Sequence, residues 1–182
     1  MRYFISKAIP PFSRVLLIES GRRELLDVLL SGLYDVHPAM HADLITCYAG
    51  TPENFRTERG AIYRVTDYPG RAARKRLFTE LAANRYNIVG IICSDEPIMT
   101  KWKWTLAARL PGKVFVLNEN GDYFWLDRGH LSNIRNFIVF RAGLSGSGAV
   151  RTLARLVLFP FTLLYLILYA ATVHLRRKLR TL

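Results

Sequence analysis

Cysteine is scarce. Cys47 and Cys93 are the only two, and both lie in apolar runs. Two thiols cannot build a disulfide framework, and buried free thiols are ordinary in such runs. No Cys/His cluster has zinc-ligand spacing, so the default for the soluble part is a reducing compartment. The dinucleotide fingerprint G-x-G-x-x-G is missing, and so is the G-x-S-x-G nucleophile elbow. His37, His41, His130 and His174 lack partner spacing for a triad or a metal. No cofactor and no metal are therefore expected. Charged residues make up only 22% of the chain and hydrophobic ones 51%, which excludes long disorder. With 182 residues there is room for one domain and an appendage.

Acid is missing altogether from residues 148–182, which hold Arg151, Arg155, Arg176, Arg177, Lys178 and Arg180. The first 147 residues hold 20 basic and 14 acidic residues, so the terminal fifth supplies half of the net charge of +12. The same segment is the most apolar part of the chain. A basic, apolar terminus points to a membrane before nucleic acid.

Residues 156–173 read LVLFPFTLLYLILYAATV, 18 residues without a charge. About 20 are needed to cross ~30 Å of hydrocarbon. All faces are apolar, so the run is read as a membrane helix rather than a core helix. A simple span is favoured; the alternative is a re-entrant helix bent near Pro160, which lacks a backbone donor. The opening residues carry Lys7, Pro10 and Pro11 where a signal peptide needs an apolar stretch. The expected location is the cell inner membrane, with the globular part facing the cytoplasm.

Short apolar runs led or closed by turn residues read as strands at 13–19, 43–48, 61–66, 87–93 and 113–117, with a short sixth at 123–126. Helical stripes occupy 22–33, 71–84, 97–110 and 127–143. Strands separated by amphipathic helices imply parallel pairing with right-handed crossovers. The expected class is α/β: a Rossmann-like open, mostly parallel sheet with flanking helices, plus a C-terminal membrane helix. The expected organisation is an N-terminal extension at 1–12, the Rossmann-like domain at 13–143, a hinge at 144–150 and the membrane helix with its basic flanks at 151–182.

In such sheets ligands sit beyond the carboxyl ends of the strands. The first strand ends at Glu19, Ser20, Gly21 and Arg22, opening a helix. Backbone N–H groups there could hold an anion, with Arg22 or Arg23 as counter-charge; a plain turn and helix cap is the simpler reading. The fourth strand ends at Ser94, Asp95 and Glu96, which read either as a helix cap or as a carboxylate pair. The fifth ends at Asn118 and Glu119 before Asn120-Gly121, a strong hairpin signal. The candidate catalytic residues are Asp95, Glu96 and Glu19, and the candidate ligand-binding residues Ser20, Gly21, Arg22, Ser94, Asn118 and Glu119.

Lys101-Trp102-Lys103-Trp104 interleaves bases and aromatics as a nucleic-acid platform does, but on a helix the two indoles diverge by about 200°. No nucleic-acid partner is expected. Arg71, Arg74, Lys75 and Arg76 form a basic helix face, solvated or set against anionic lipid.

VLLIESG before a helix, DLITCYAG, AIYRVTDYPG, and the run LFTELAANRYNIVGIICSDEPIMTKWKWTLAARLPGKVFVLNENGDYFW lie in this order. Together they resemble the N-terminal lobe of two-lobed glycosyltransferases of the ADP-heptose:lipopolysaccharide heptosyltransferase family, over residues 14–125. In that family a leucine, arginine, x, tyrosine, aspartate phrase leads into the central strand; here it is LAANRYNIVGIIC. The first loop departs from the family's glycine-aspartate step, reading Ser20-Gly21-Arg22-Arg23-Glu24. Residues 144–182 read as hinge and membrane helix where the family has its donor-binding lobe.

The resemblance implies a membrane-anchored, glycosyltransferase-like domain in bacterial cell-envelope glycan assembly. It would be a half-site or a non-catalytic partner subunit. Its partners would be the membrane, a protein, and a nucleotide-sugar or lipid-linked glycan; any activity would be hexosyl or heptosyl transfer with a partner. Two alternatives stay open: a membrane-recruiting adaptor, marked by an exposed apolar patch, and a nucleotide-binding regulatory domain, marked by a glycine-lined pocket after the first strand.

Overall fold

The computed structural model describes residues 3–94, 97–142 and 147–180. The chain divides into two compact units, Met1–Ile134 and Arg135–Leu182. The first unit is built on six strands: β1 (Arg14–Ser20), β2 (His41–Thr46), β3 (Ile62–Arg64), β4 (Ile88–Cys93), β5 (Lys113–Leu117) and β6 (Tyr123–Trp125). Between them lie α1 (Arg23–Val36), α2 (Gly70–Ala83) and α3 (Thr100–Arg109). The sheet order is β3-β2-β1-β4-β5-β6, parallel except for the antiparallel last pair. This is the expected Rossmann-like sheet, with its order reversing between β1 and β4. β4 is buried along its whole length, as a strand covered on both faces must be.

Right-handed crossovers fix which face each helix covers. The connection from β1 to β2 runs one way along the sheet; those from β3 to β4 and β4 to β5 run the other. α1 therefore lies on one face, and α2 and α3 on the opposite one. The packing agrees. Leu26, Leu30 and Tyr34 of α1 cluster with Val15, Leu17, Ile88, Ile92 and Phe115. The alternate residues Leu16, Ile18, Val89 and Ile91 are equally buried and face the other way.

Several boundaries differ from the sequence reading. β2 begins at His41, two residues early, and the helix expected over 127–143 is a 3₁₀ turn (Arg128–His130) followed by α4 (Leu131–Arg141). α3 starts at Thr100 rather than Pro97, because Met99 takes a left-handed conformation with φ 49° and Thr100 Oγ1 donates to the Pro97 carbonyl. Gly121, at φ 83°, closes the turn between β5 and β6 as the Asn-Gly signal required.

The N-terminal segment is tied down by a buried ion pair. Lys113 Nζ lies 2.9 Å from Asp127 Oδ2, and both side chains are almost inaccessible. The same ammonium donates to the carbonyls of Ser6 and Ala8, each at 3.0 Å. The other Asp127 oxygen accepts from Gly129 N and lies 2.8 Å from His130 Nδ1. Phe12 continues the tie by stacking on His37 at 4.4 Å and meeting Trp125 edge-on.

In the second unit, α5 (Ser147–Arg180) is one continuous helix that runs through Pro160. It begins at Ser147, inside the segment read as a hinge; residues 143–146 lie outside the described residues. Ala154–His174 has mean hydropathy 2.2 and none of it is buried, so it is long and apolar enough to cross a membrane. At 1.5 Å per residue those 21 residues span about 32 Å. Thr162 and Thr172 donate their hydroxyls to carbonyls of their own helix, at Leu158 and Tyr169, which suits a medium without water.

Asp127→Asn is expected to cost about 3–5 kcal/mol, because it leaves Lys113 buried without its counter-charge. Burial pushes the Asp127 carboxyl up, but the bonds from Lys113 and His130 outweigh it and hold the group at about 2. A depressed carboxylate stabilises the fold above its unfolded pKa and loses that contribution as pH falls toward the folded one. The gap between wild type and Asp127→Asn should therefore narrow by about 2 kcal/mol between roughly pH 5 and pH 2. Urea denaturation across that range measures it.

Candidate functional site

The order reversal between β1 and β4 places the carboxyl ends of these strands at the crevice where open α/β sheets bind ligands. Ser20 pairs with Cys93 in the parallel register, which sets Gly21 against Ser94. A Cβ added at Gly21 would come within 3.0 Å of both Ser94 N and Ile92 Cγ2. Gly21 is thus the point where the first turn packs directly on β4. Ser20 closes the same junction by donating its hydroxyl to the Ile92 carbonyl at 2.7 Å.

Glu19 is fully buried, and both its oxygens are taken. Arg23 Nε donates to one at 2.8 Å and Nη2 to the other at 3.3 Å. The remaining Arg23 nitrogen, Nη1, donates to the Ala49 carbonyl, and the guanidinium lies 5.4 Å from the Tyr48 ring centroid. The bond to Glu19 raises the Arg23 guanidinium above its ordinary value. Of the two arginines considered as counter-charge, Arg23 is committed to Glu19. Arg22 is exposed at the N-cap of α1 and makes no capping bond through its side chain. Tyr48 completes the rim by donating its hydroxyl to the Gly21 carbonyl at 3.2 Å.

Ser94 is buried, and its hydroxyl has no hydrogen-bond partner among the described residues. Asp95 and Glu96 lie outside the described residues. Asn118 and Glu119 stand at the end of the adjacent β5. Asn118 Oδ1 accepts from the backbone N–H of Asn120 and Asp122, so its side chain serves the hairpin turn. Cys47 lies at the end of β2, and burial pushes its thiol up, away from the reactive thiolate. No group of three His, Cys, Asp or Glu able to hold a metal occurs among the described residues.

The sequence reading missed two of the buried carboxylates. Asp43 accepts from Tyr86 Oη at 2.6 Å and from Ala61 N at 2.8 Å, with Asn84 bridging to Tyr86 and Tyr63. Burial, followed by its bond to Asp43, pushes the Tyr86 phenol well above its usual range. Asp127 is the second. Glu19, Asp43 and Asp127 are the buried carboxylates among the described residues, and each is spent on donors of its own domain.

A different feature stands on the α1 face of the sheet. Leu26, Leu30 and Tyr34 point into the core, yet α1 carries a second apolar stripe at Leu25, Val28, Leu29, Gly32, Leu33 and Val36. Val28 is 74% exposed and Val36 71%. Two adjoining apolar hollows, of about 270 and 290 Å³, share Leu29, Gly32, Leu33 and Tyr123. They form a groove between α1 and the β5–β6 edge, floored by Phe115, Leu117 and Trp125 and closed at one end by Ile9 and Phe12. Spacing marks Leu25, Val28, Leu29 and Leu33 as part of a helical stripe in the sequence, since i, i+3, i+4, i+8 is a packing face. The groove needed the topology.

No protein-family model, no curated protein and no solved structure matches the chain.

Arg23→Met is expected to cost about 3 kcal/mol, the low end for breaking a buried pair because Arg23 keeps contact with water. Glu19→Gln/Arg23→Met should recover most of that loss, since no buried charge is then left alone. A double-mutant cycle by chemical denaturation reads the coupling; additive losses would show that the pair does not hold the junction.

Proposed function

We propose that the chain is a membrane-anchored, glycosyltransferase-like Rossmann domain that works in bacterial cell-envelope glycan assembly as a non-catalytic partner subunit. Its globular unit would lie on the cytoplasmic side of the inner membrane, anchored by α5. The observation that carries the partner role is the exposed apolar groove along α1, the mark of a protein-docking surface rather than of a closed monomer. The resemblance over residues 14–125 supplies the transferase class.

The chemistry of the strand ends supports the absence of a catalytic role for Glu19. Sugar transfer needs a base beside the acceptor and positive charge on the donor diphosphate. Glu19 and Arg23 are occupied with each other, so neither is available for either task. A nucleotide-sugar or lipid-linked glycan would then be bound chiefly by the partner.

The test is made in cells. A photo-crosslinking residue at Val28 is expected to capture a glycan-assembly transferase, identified by mass spectrometry. Val28→Glu/Val36→Glu should abolish the adduct and leave the chain in the membrane fraction. Deleting residues 154–182 should release the chain to the soluble fraction. The purified chain is expected to transfer no sugar from nucleotide-sugars. Robust turnover by the isolated chain would overturn the partner-subunit reading and make it an enzyme.

A further inference from the structure

We propose that the face formed by α2 and α3 docks on an anionic lipid surface. This rests on the membrane-anchor reading above and adds an orientation to it. α2 and α3 share the sheet face opposite α1, and they touch through Phe78 and Trp102, stacked at 5.4 Å. Together they carry Arg71, Arg74, Lys75, Arg76, Lys101, Lys103 and Arg109 against a single acid, Glu80. α1, on the other face, carries Arg23 against Glu24, Asp27 and Asp35. The charge is segregated by face: with buried Lys103 left out, +5 on the two helices and −2 on the one.

The fold itself does not require this charge. α2 has no acid in its first turn and places Arg71 there, where the helix dipole disfavours a cation. Arg71 and Lys75 are four apart, a spacing at which like charges repel. An arrangement that strains the isolated helix is relieved by an external anion.

Two of the cations are held in place. Arg74 lies 5.9 Å from the Trp102 ring centroid and Arg109 lies 5.0 Å from that of Phe78, and both remain exposed. Their guanidinium groups rest over these rings at the surface, so little side-chain entropy is lost on meeting a phosphate.

Lipid fits better than nucleic acid. Of the four residues of the KWKW run, Lys103 is buried and Trp102 is committed to Phe78 and Arg74. Only Lys101 and Trp104 are left facing out, and one exposed indole is no stacking platform. A single tryptophan beside basic residues suits the head-group region, which favours amphipathic rings. With α5 in the same bilayer the face meets lipid as an intramolecular event, so individually weak contacts suffice.

The experiment uses the full chain in lipid nanodiscs of phosphatidylcholine, with and without phosphatidylglycerol, containing lipids brominated near the head group. Tryptophan emission should be quenched in the anionic discs and recover at high salt. Trp104→Phe should remove the quenching. Each basic residue lost should weaken docking about fivefold. Arg71→Glu/Lys75→Glu/Lys101→Glu should therefore abolish quenching while the chain still elutes with the disc and melts as wild type does. Equal quenching in neutral and anionic discs overturns the proposal. So does quenching unchanged in the triple variant, or displacement of the face from lipid by a single-stranded oligonucleotide. Failure of the chain to enter discs sinks the anchor instead. In that event, salt-sensitive flotation of the chain with anionic vesicles, lost in the triple variant, still supports the docking face, and its absence overturns it.

Discussion

A parallel sheet must be covered on both faces, because its strands have no solvent side. Here the order β3-β2-β1-β4-β5-β6 sends the helices α2 and α3 to one face, and α1 with the β2–β3 connection, which holds no α-helix, to the other. Among the described residues of the first unit, α1 is the one α-helix on this second face, where Met40 and Phe55 join its cluster, and its core residues reach from β2 to Phe115 of β5. The strip over β5 and β6 is left to Ile9, Phe12 and the flank of α1. The groove follows from that imbalance. The second apolar stripe of α1, with Gly32 at its centre, is the side of a helix that would ordinarily meet a neighbouring helix in the layer.

The N-terminal segment partly fills the deficit, and the means is electrostatic. Ile5 and Ile9 of segment 3–12 stay exposed, so apolar burial holds the segment only in part. Lys113, buried at the start of β5, spends its charge on Asp127 and two further protons on the Ser6 and Ala8 carbonyls. A buried pair of this kind contributes little to stability against an apolar substitute, but it is specific. It permits one path for the segment across the sheet edge, and so fixes one end of the groove.

The strands were legible because fully buried strands read as continuous apolar runs; NIVGIIC and KVFVL needed no partner to be recognised. The hairpin was legible in Asn-Gly. The polar ties were not. Lys113 reads as a surface residue opening a strand, and its partner Asp127 stands 14 positions later, in a stretch read as helix. Asp43 looks like the polar edge of a strand until Tyr86 and Asn84 are brought across the fold. At the strand ends, Glu19, Ser20, Gly21 and Ser94 were found by topology alone. Sequence spacing did not show that Arg23 would fold back on Glu19, because a turn separates a strand residue from a helix residue at that interval.

Opposite chemistry on the two faces has a geometric consequence for an anchored domain. If the basic helices α2 and α3 rest on lipid, the sheet lies between them and α1, and the apolar groove points away from the bilayer. A partner reaching that groove does not compete with lipid for it, and the slightly acidic α1 does not repel it from a basic surface. The reverse orientation would set Glu24, Asp27 and Asp35 against anionic head groups and leave six exposed cations unmatched. Electrostatics near an anionic leaflet act at about 1 kcal/mol per charge, so the difference between the two orientations amounts to several kcal/mol. On the lipid-docking proposal, that is enough to hold the domain one way up, with the groove on the side away from lipid.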